Sequence, residues 1–161
     1  MKVTILGLGN ILLGDEGFGV HFIRWLGERY RVPDCVELMD GGTLGYVLLD
    51  IVCSCDHLIV VDCIKIDDEP GSLYRFTREE MEIHMPPPTS AHEVEFSDVL
   101  FKAELMGEAP EITFLCVVPE RYGDLELEMT ATVKERFPDV ARLLAEELFR
   151  RRIVLEPRDH A

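Results

Sequence analysis

Three side chains that could bind a metal ion or move a proton follow hydrophobic segments of this sequence. Glu16 comes after the apolar residues 3–8 and a glycine-rich turn, Asp62 lies near the end of the apolar residues 58–64, and His92 follows a proline-rich loop at residues 85–90. Two carboxylates and one imidazole form a mixed oxygen and nitrogen set that suits a divalent ion such as zinc, nickel, iron or manganese. Coordination positions would remain for water or substrate.

The glycine-rich turn carries acidic residues where a dinucleotide-binding turn would carry none. Gly7 and Gly9 match the first two glycines of the G-x-G-x-x-G fingerprint, but Leu12 stands at the third position. Asp15 and Glu16 would repel a phosphate placed over the turn, so we expect it to bind a cation or a peptide amide. The alternative is an ordinary glycine turn with an acid that caps the next helix.

Each candidate ligand also has a simpler explanation. Glu16 could complement the dipole of the following helix. His92 could cap a helix that begins at Ser90, or lie on the surface. Asp62 is harder to explain in this way, because an unpaired carboxylate at the end of an apolar strand is costly to bury. The residue types alone therefore favour a functional role most clearly for Asp62.

The charge of the chain excludes several classes of partner. The 161 residues carry a formal net charge of −15 at pH 7. Nucleic acids and anionic membrane surfaces are bound by lysine and arginine, so we expect neither as a partner. No apolar run approaches the roughly 20 residues that span a bilayer.

The cysteines and the first residues bear on the compartment. The five cysteines are scattered through apolar segments without zinc-site spacing, which is typical of free thiols in a reducing cytoplasm. Met1 and Lys2 lead directly into an apolar run, so no secretory signal is expected.

Hydrophobic periodicity predicts one α/β domain over residues 1–161. Nearly continuous apolar runs indicate buried parallel strands at residues 3–8, 36–39, 58–64 and 112–118, with a further edge strand at 71–77. Helical spacing is found at residues 17–30, 44–53 and 93–106 and in the C-terminal region, where Pro138 could open a second helix after a break. Alternation of strands and helices is the pattern of a three-layer α/β/α fold. We expect residues 156–161 to form a loose tail.

In open α/β sheets, ligands bind outside the carboxyl ends of the strands. The residues after the first strand, the Asp40-Gly41-Gly42-Thr43 segment, Asp62, and the loop that ends in His92 should therefore meet at one edge. The alternative for residues 40–43 is a simple turn in which the glycines take positive φ.

Four motifs together resemble those of the [NiFe]-hydrogenase maturation endopeptidases. They are the stretch G-L-G-N-I-L-L-G-D-E-G-F-G-V at residues 7–20, D-G-G-T-L-G at 40–45, V-V-D-C at 60–63 and S-A-H at 90–92. The resemblance extends from Met1 to the C-terminal helix. The first two motifs are long and specific, whereas the last two would be weak alone.

The resemblance implies a fold, a reaction and a set of site residues. It implies a five-stranded, mostly parallel twisted sheet flanked by helices. It also implies a protease that removes a C-terminal extension from the hydrogenase large-subunit precursor after nickel insertion. Glu16, Asp62 and His92 match the residues that contact the metal and would carry catalysis, and Asp40, Gly41, Gly42 and Thr43 match the segment associated with substrate binding. The nickel would be carried by the substrate, and zinc or cadmium could occupy the same position.

Further expectations accompany this assignment. We expect a monomer in the cytoplasm whose partner is the large-subunit precursor. The sequence departs from the family pattern G-I-x-P after the last buried strand, where it reads Val117-Val118-Pro119-Glu120. Because no G-x-S-x-G motif occurs and no cysteine has an evident base partner, covalent catalysis is the weaker mechanism. Two alternatives stay open at this point, a nucleotide-binding module without catalysis and a hydrolase related to peptidyl-tRNA hydrolases.

Overall fold

A computed structural model describes residues 1–84 and 91–159. Within these residues, five strands form a central sheet: β1 (Val3–Leu8), β3 (Val36–Gly42), β4 (His57–Cys63), β5 (Leu73–Thr77) and β6 (Glu111–Val117). Their order in the sheet is β3-β1-β4-β6-β5. All neighbours are parallel except the edge strand β5, which runs antiparallel to β6. The predicted three-layer, mostly parallel fold is confirmed.

Helices cover both faces of the sheet. They comprise α1 (Phe18–Arg29), α2 (Leu49–Cys53), α3 (Arg78–His84), α4 (Ala91–Leu105), α5 (Ala131–Lys134) and α6 (Phe137–Phe149), with short 3-10 helices η1 (Gly14–Gly17) and η2 (Gly45–Leu48). Pro138 lies in the first turn of α6, as expected for a residue that lacks a backbone N–H.

Alternate side chains of each central strand enter two separate hydrophobic cores. Ile5 of β1 packs in a core with residues of α1 and α6, including Phe22 and Leu144. Leu6, the next residue, packs in the second core with residues of α2 and α4, including Val52. Burial on both faces is the reason that these strands read as continuous apolar runs.

Helix α1 begins directly against the sheet, and Gly19 permits this approach. A Cβ atom at Gly19 would collide with the carbonyl oxygens of Leu8 and Val61. Close packing here fixes the position of η1, which immediately precedes α1, relative to the ends of β1 and β4. The turn containing Glu16 is therefore held at the carboxyl edge of the sheet.

The C-terminal segment is paired with the end of α1. Strand β7 (Glu156–Pro157) runs antiparallel to β2 (Tyr30–Arg31), and the Arg158 side chain donates to the carbonyl oxygens of Gly27 and Tyr30 at 2.9 and 3.2 Å. Residues 156–158 are therefore held by the end of α1 and do not form the loose tail that the sequence predicts for residues 156–161. Residues 160–161 lie outside the described residues.

No helix in the part of the chain that the structure describes is both long enough and apolar enough to cross a membrane.

Candidate functional site

The loops that follow β1, β3, β4 and β6 lie together at the carboxyl edge of the sheet. Strands β1, β3, β4 and β6 are parallel, so their ends face the same side. The Gly9 N–H donates to the Gly42 carbonyl at 3.0 Å, which joins the loops after β1 and β3. The loops after β1 and β3 therefore lie side by side as predicted, whereas residues 85–90 of the loop that ends in His92 lie outside the described residues.

Glu16 lies in η1 and is buried, with 4% of its surface exposed. Its Oε2 atom accepts a hydrogen bond from the Gly123 N–H at 3.0 Å. Gly9 allows η1 to approach the end of β1, because a Cβ at this position would overlap the Glu16 carbonyl oxygen and because its φ of +134° favours glycine. Glu16 is therefore positioned by two backbone contacts, the hydrogen bond from the Gly123 N–H to its carboxylate and the close approach of Gly9 to its carbonyl group.

Asp62 is the next-to-last residue of β4 and is partly buried. Its Oδ1 atom accepts the Cys63 N–H at 2.8 Å. Burial, with smaller contributions from the negative charges of Glu93 and Glu16, raises the pKa of Asp62 to about 8.

Backbone geometry and charge relate the segments around Asp62. Strands β1 and β4 are paired in parallel, so η1, which follows β1, and Asp62 lie at the same ends of the strands. The charges of Glu93 and Glu16 both contribute to the raised pKa of Asp62. His92 precedes Glu93 in α4, but its side chain lies outside the described residues. Among the side chains that are described, no group of three His, Cys, Asp or Glu residues is arranged to hold a metal ion. The role of His92 stays a prediction.

Residues 40–43 form the end of β3 and the loop after it. The Asp40 side chain is exposed, and its Oδ2 accepts a hydrogen bond from Arg24 at 3.3 Å. Gly41 is buried against Leu6 and Leu8, Gly42 has a φ of +45°, and Thr43 is exposed. The simple-turn alternative is met only in part, because residues 40–42 end β3 and Gly42, but not Gly41, takes a positive φ. Substrate binding by these residues stays a prediction.

Asp15 is a residue whose importance the sequence analysis did not recognise. It is 1% exposed, and its carboxylate accepts the N–H groups of Glu120 (2.9 Å), Arg121 (3.1 Å) and Thr130 (2.8 Å) as well as the Thr130 hydroxyl. Amides of the chain itself thus bind Asp15, and the expectation that the turn favours a cation or a peptide amide as its ligand stays a prediction. The sequence signal was the pair of adjacent acids between glycines.

The loop after β6, which departs from the family pattern, is the partner of these two acids. Besides the bonds to Asp15 and Glu16, the Gly14 N–H donates to the Glu126 carbonyl at 2.7 Å and the Glu126 N–H donates to the Leu12 carbonyl at 3.0 Å. The Lys65 ammonium group also lies over the Tyr122 ring. Residues 119–130, which we call the strap, are therefore fastened across the G-D-E-G turn.

Two thiols beside Asp62, those of Cys63 and Cys116, are buried. Burial, followed by the charge of Asp62, raises the pKa values of Cys63 and Cys116 well above their ordinary range. Reactive cysteines require the thiolate form. The burial of these residues agrees with the sequence-based view that covalent catalysis is the weaker mechanism.

Comparison with known proteins identifies the family. A family model described as hydrogenase maturation protease matches residues 20–147. The chain belongs to this family. Hydrogenase 2 maturation protease of Escherichia coli (strain K12) is 36% identical over 148 residues, which cover 90% of this chain and 90% of that protein. The hydrogenase expression/formation protein HoxM of Azotobacter vinelandii is 38% identical over 160 residues, covering 98% and 77%.

Solved structures agree with this membership. The hydrogenase maturating endopeptidase HybD from Escherichia coli superposes with a TM-score of 0.92 at 33% identity, covering 98% of each chain. The [NiFe] hydrogenase maturation protease HybD from Thermococcus kodakarensis gives a TM-score of 0.73 at 28% identity, covering 92% of this chain and 99% of that one. This member of the hydrogenase maturation protease family is a peptidase, and the family predicted from the sequence is confirmed. Membership also decides against the two alternatives, the nucleotide-binding module and the peptidyl-tRNA hydrolase relative.

Proposed function

We propose that this chain removes a C-terminal extension from the precursor of a [NiFe]-hydrogenase large subunit after nickel has been inserted. In this proposal Glu16, Asp62 and His92 contact nickel that the precursor carries. The enzyme would then cleave only a loaded precursor. Family membership supports the type of reaction, and the arrangement of the carboxylates supports the residues assigned to it.

The observation that carries the residue assignment is that two carboxylates lie at the carboxyl ends of neighbouring parallel strands. Glu16 is buried in the turn that follows β1, and Asp62 is the next-to-last residue of β4, which pairs with β1. The charge of Glu16 also contributes to the raised pKa of Asp62. Natural proteins rarely bury a carboxylate without a partner, because removing its charge from water costs on the order of several kcal/mol. A cation delivered between the two acids would compensate both.

The residues of the chain have separate tasks in the proposed reaction. The Gly123 N–H orients Glu16, and the Cys63 N–H orients Asp62. When a divalent metal is bound, it can polarise the scissile carbonyl and acidify a water molecule. His92 supplies the single nitrogen ligand, which leaves a site with few preset ligands and little affinity for free metal.

The segment Asp40-Gly41-Gly42-Thr43 is proposed to contact the substrate beside this site. Asp40 is exposed, is paired with Arg24 and lies near the end of β3, where the Gly42 carbonyl accepts the Gly9 N–H. We further propose that the reaction takes place in the cytoplasm, since all five cysteines are free.

The test is to replace each proposed ligand by a neutral residue of similar size. We expect Glu16→Gln, Asp62→Asn and His92→Ala to reduce cleavage of a nickel-loaded precursor by about a hundredfold or more, because each removes a ligand. The mass of the precursor before and after incubation reports cleavage. Thermal unfolding checks the fold, and Asp62→Asn should not lower stability, because it removes a carboxyl group that is costly to ionise in the fold.

Matched controls are available on the surface. Glu79→Gln and Asp50→Asn make the same chemical changes at exposed positions and should cleave the precursor at the wild-type rate. If two of the three ligand variants retain cleavage, the assignment of the site is wrong and the catalytic centre lies elsewhere.

A further inference from the structure

The strap, residues 119–130, is a pre-organised segment with an unusual surface. Asp15 accepts two backbone N–H groups at its start and the Thr130 N–H at its end, and Glu16 accepts the Gly123 N–H. Glu126, in the middle, exchanges backbone hydrogen bonds with the turn at residues 12–14. A segment fixed at its start, middle and end presents its outward side chains in a defined arrangement.

Three leucines lie on the outer surface of the strap and of the turn beneath it. Leu125 is 84% exposed, Leu127 is 71% exposed and Leu12 is 52% exposed. The first two flank Glu126, whose N–H binds the Leu12 carbonyl, so the three belong to adjoining backbone segments. Single exposed leucines are common on protein surfaces, whereas several on adjoining hydrogen-bonded segments suit contact with a partner.

The charges around these leucines are almost all negative. Glu120, Asp124, Glu126 and Glu128 are exposed, and Arg121 is the single basic residue of the strap. The whole chain carries −15. A partner that covers the leucines must therefore combine apolar side chains with basic ones.

We propose that the strap is the surface on which the precursor docks, through an extended segment with apolar and basic side chains next to the cleavage site. This inference rests on the proposed function. The location supports it, because the Gly123 N–H contacts Glu16 directly and a peptide lying on Leu125 and Leu127 would be within a few residues of the proposed nickel ligand. A second copy of this chain fits poorly, because its own acids would face these acids.

The experiment compares exposed positions, so that folding is not at risk. The double variant Leu125→Ser/Leu127→Ser is expected to raise the KM for the loaded precursor about tenfold while kcat stays within about twofold, because only ground-state binding is lost. The control Leu105→Ser/Phe149→Ser replaces two large apolar side chains, each 71% exposed, at the C-terminal ends of α4 and α6. It should leave both constants unchanged.

A second pair of residues tests the charge of the partner. With wild-type enzyme, KM should rise as salt is added, because ions screen the attraction between the acidic strap and a basic segment. Glu126→Gln/Glu128→Gln should make KM higher at low salt and less dependent on salt. A purely structural role of these exposed residues would not change the salt dependence.

The outcomes separate this inference from the proposed function. If wild-type enzyme cleaves the precursor and the leucine variant has an unchanged KM, the docking surface is refuted while the function stands. If wild-type enzyme cleaves no loaded precursor, both are refuted. If sedimentation detects a wild-type dimer that the leucine variant abolishes, the surface belongs to a second copy and the inference is wrong.

Discussion

Asp15 and Glu16 are adjacent acids with different surroundings. Asp15 is enclosed by three backbone N–H groups and a hydroxyl, whereas the bond recorded for the Glu16 carboxylate comes from Gly123. Hydrogen bonds from three backbone N–H groups and a hydroxyl give the Asp15 carboxylate a structural task. We therefore assign the fastening of the strap to Asp15, whereas the nickel contact of Glu16 remains a proposal.

Asp15→Asn should loosen the strap. An amide nitrogen would face backbone N–H groups that now point at an oxygen, and we expect a loss of about 3 kcal/mol in the free energy of unfolding. Trypsin cleavage after the exposed Arg121 should become faster. Asp124→Asn, an exposed acid in the same segment, is the control. Equal trypsin sensitivity of wild type and Asp15→Asn would contradict the role given to Asp15.

The sequence allowed the positions of Glu16 and Asp62 to be predicted because strand ends share an edge in a parallel sheet. The partners of Asp15 could not be predicted in the same way. They lie 105 to 115 residues further along the chain, and no local pattern relates residues 119–130 to the first turn. The strap reads simply as an acidic loop with leucines.

At the scale of elements, the buried strands were the most predictable parts of the fold. Continuous apolar runs give β1, β4 and β6 to within a residue of their observed ends. Helix α3 (Arg78–His84) was not predicted, because its sequence is mostly charged and lacks an apolar stripe. The helix packs beside the preceding edge strand, and this tertiary contact stabilises it. A short polar sequence does not reveal such a contact.

The pairing of β4 with β6 contains a buried histidine far from the candidate site. His57 Nε2 and the Thr113 hydroxyl oxygen are 3.0 Å apart and share a hydrogen bond. Burial, assisted by Arg151 and opposed by Glu111, lowers the pKa of His57 from 6.5 to about 4. The imidazole is therefore neutral in the folded protein at neutral pH.

This histidine makes stability depend on pH. Between pH 6.5 and about 4, His57 binds a proton in the unfolded chain but stays neutral in the folded protein. The free energy of unfolding is therefore highest above pH 6.5 and decreases as the pH falls through this range. One pKa unit corresponds to about 1.4 kcal/mol. Urea unfolding at pH 7.5 and 4.5 should show a smaller loss of stability on acidification for His57→Asn than for wild type.

A matched variant separates the titration from the hydrogen bond. Thr113→Val removes the hydroxyl partner but keeps the imidazole, so it should lower stability at both pH values and retain the wild-type pH dependence. If His57→Asn loses as much stability on acidification as wild type, His57 is not the group that titrates.

At the scale of the whole molecule, the fold brings acids from the first, middle and last thirds of the chain to the carboxyl ends of the parallel strands. The G-D-E-G turn, the end of β4 and the strap meet there. At the opposite ends of the strands, the residues that follow α1 pair with the C-terminal segment. If the proposed docking surface and site are correct, this acidic molecule is suited to one kind of protein substrate. Selectivity would then depend on the substrate supplying the metal as well as the contacts.

The most direct test of the account compares matched precursors with and without nickel, using enzyme from which metals have been stripped by a chelator. Cleavage is followed by the mass of the large subunit over a range of enzyme concentrations. If the precursor delivers the metal, the loaded precursor is cut once and the nickel-free precursor remains uncut even at high enzyme concentration. Equal cleavage of both precursors would contradict the account and leave an ordinary peptidase.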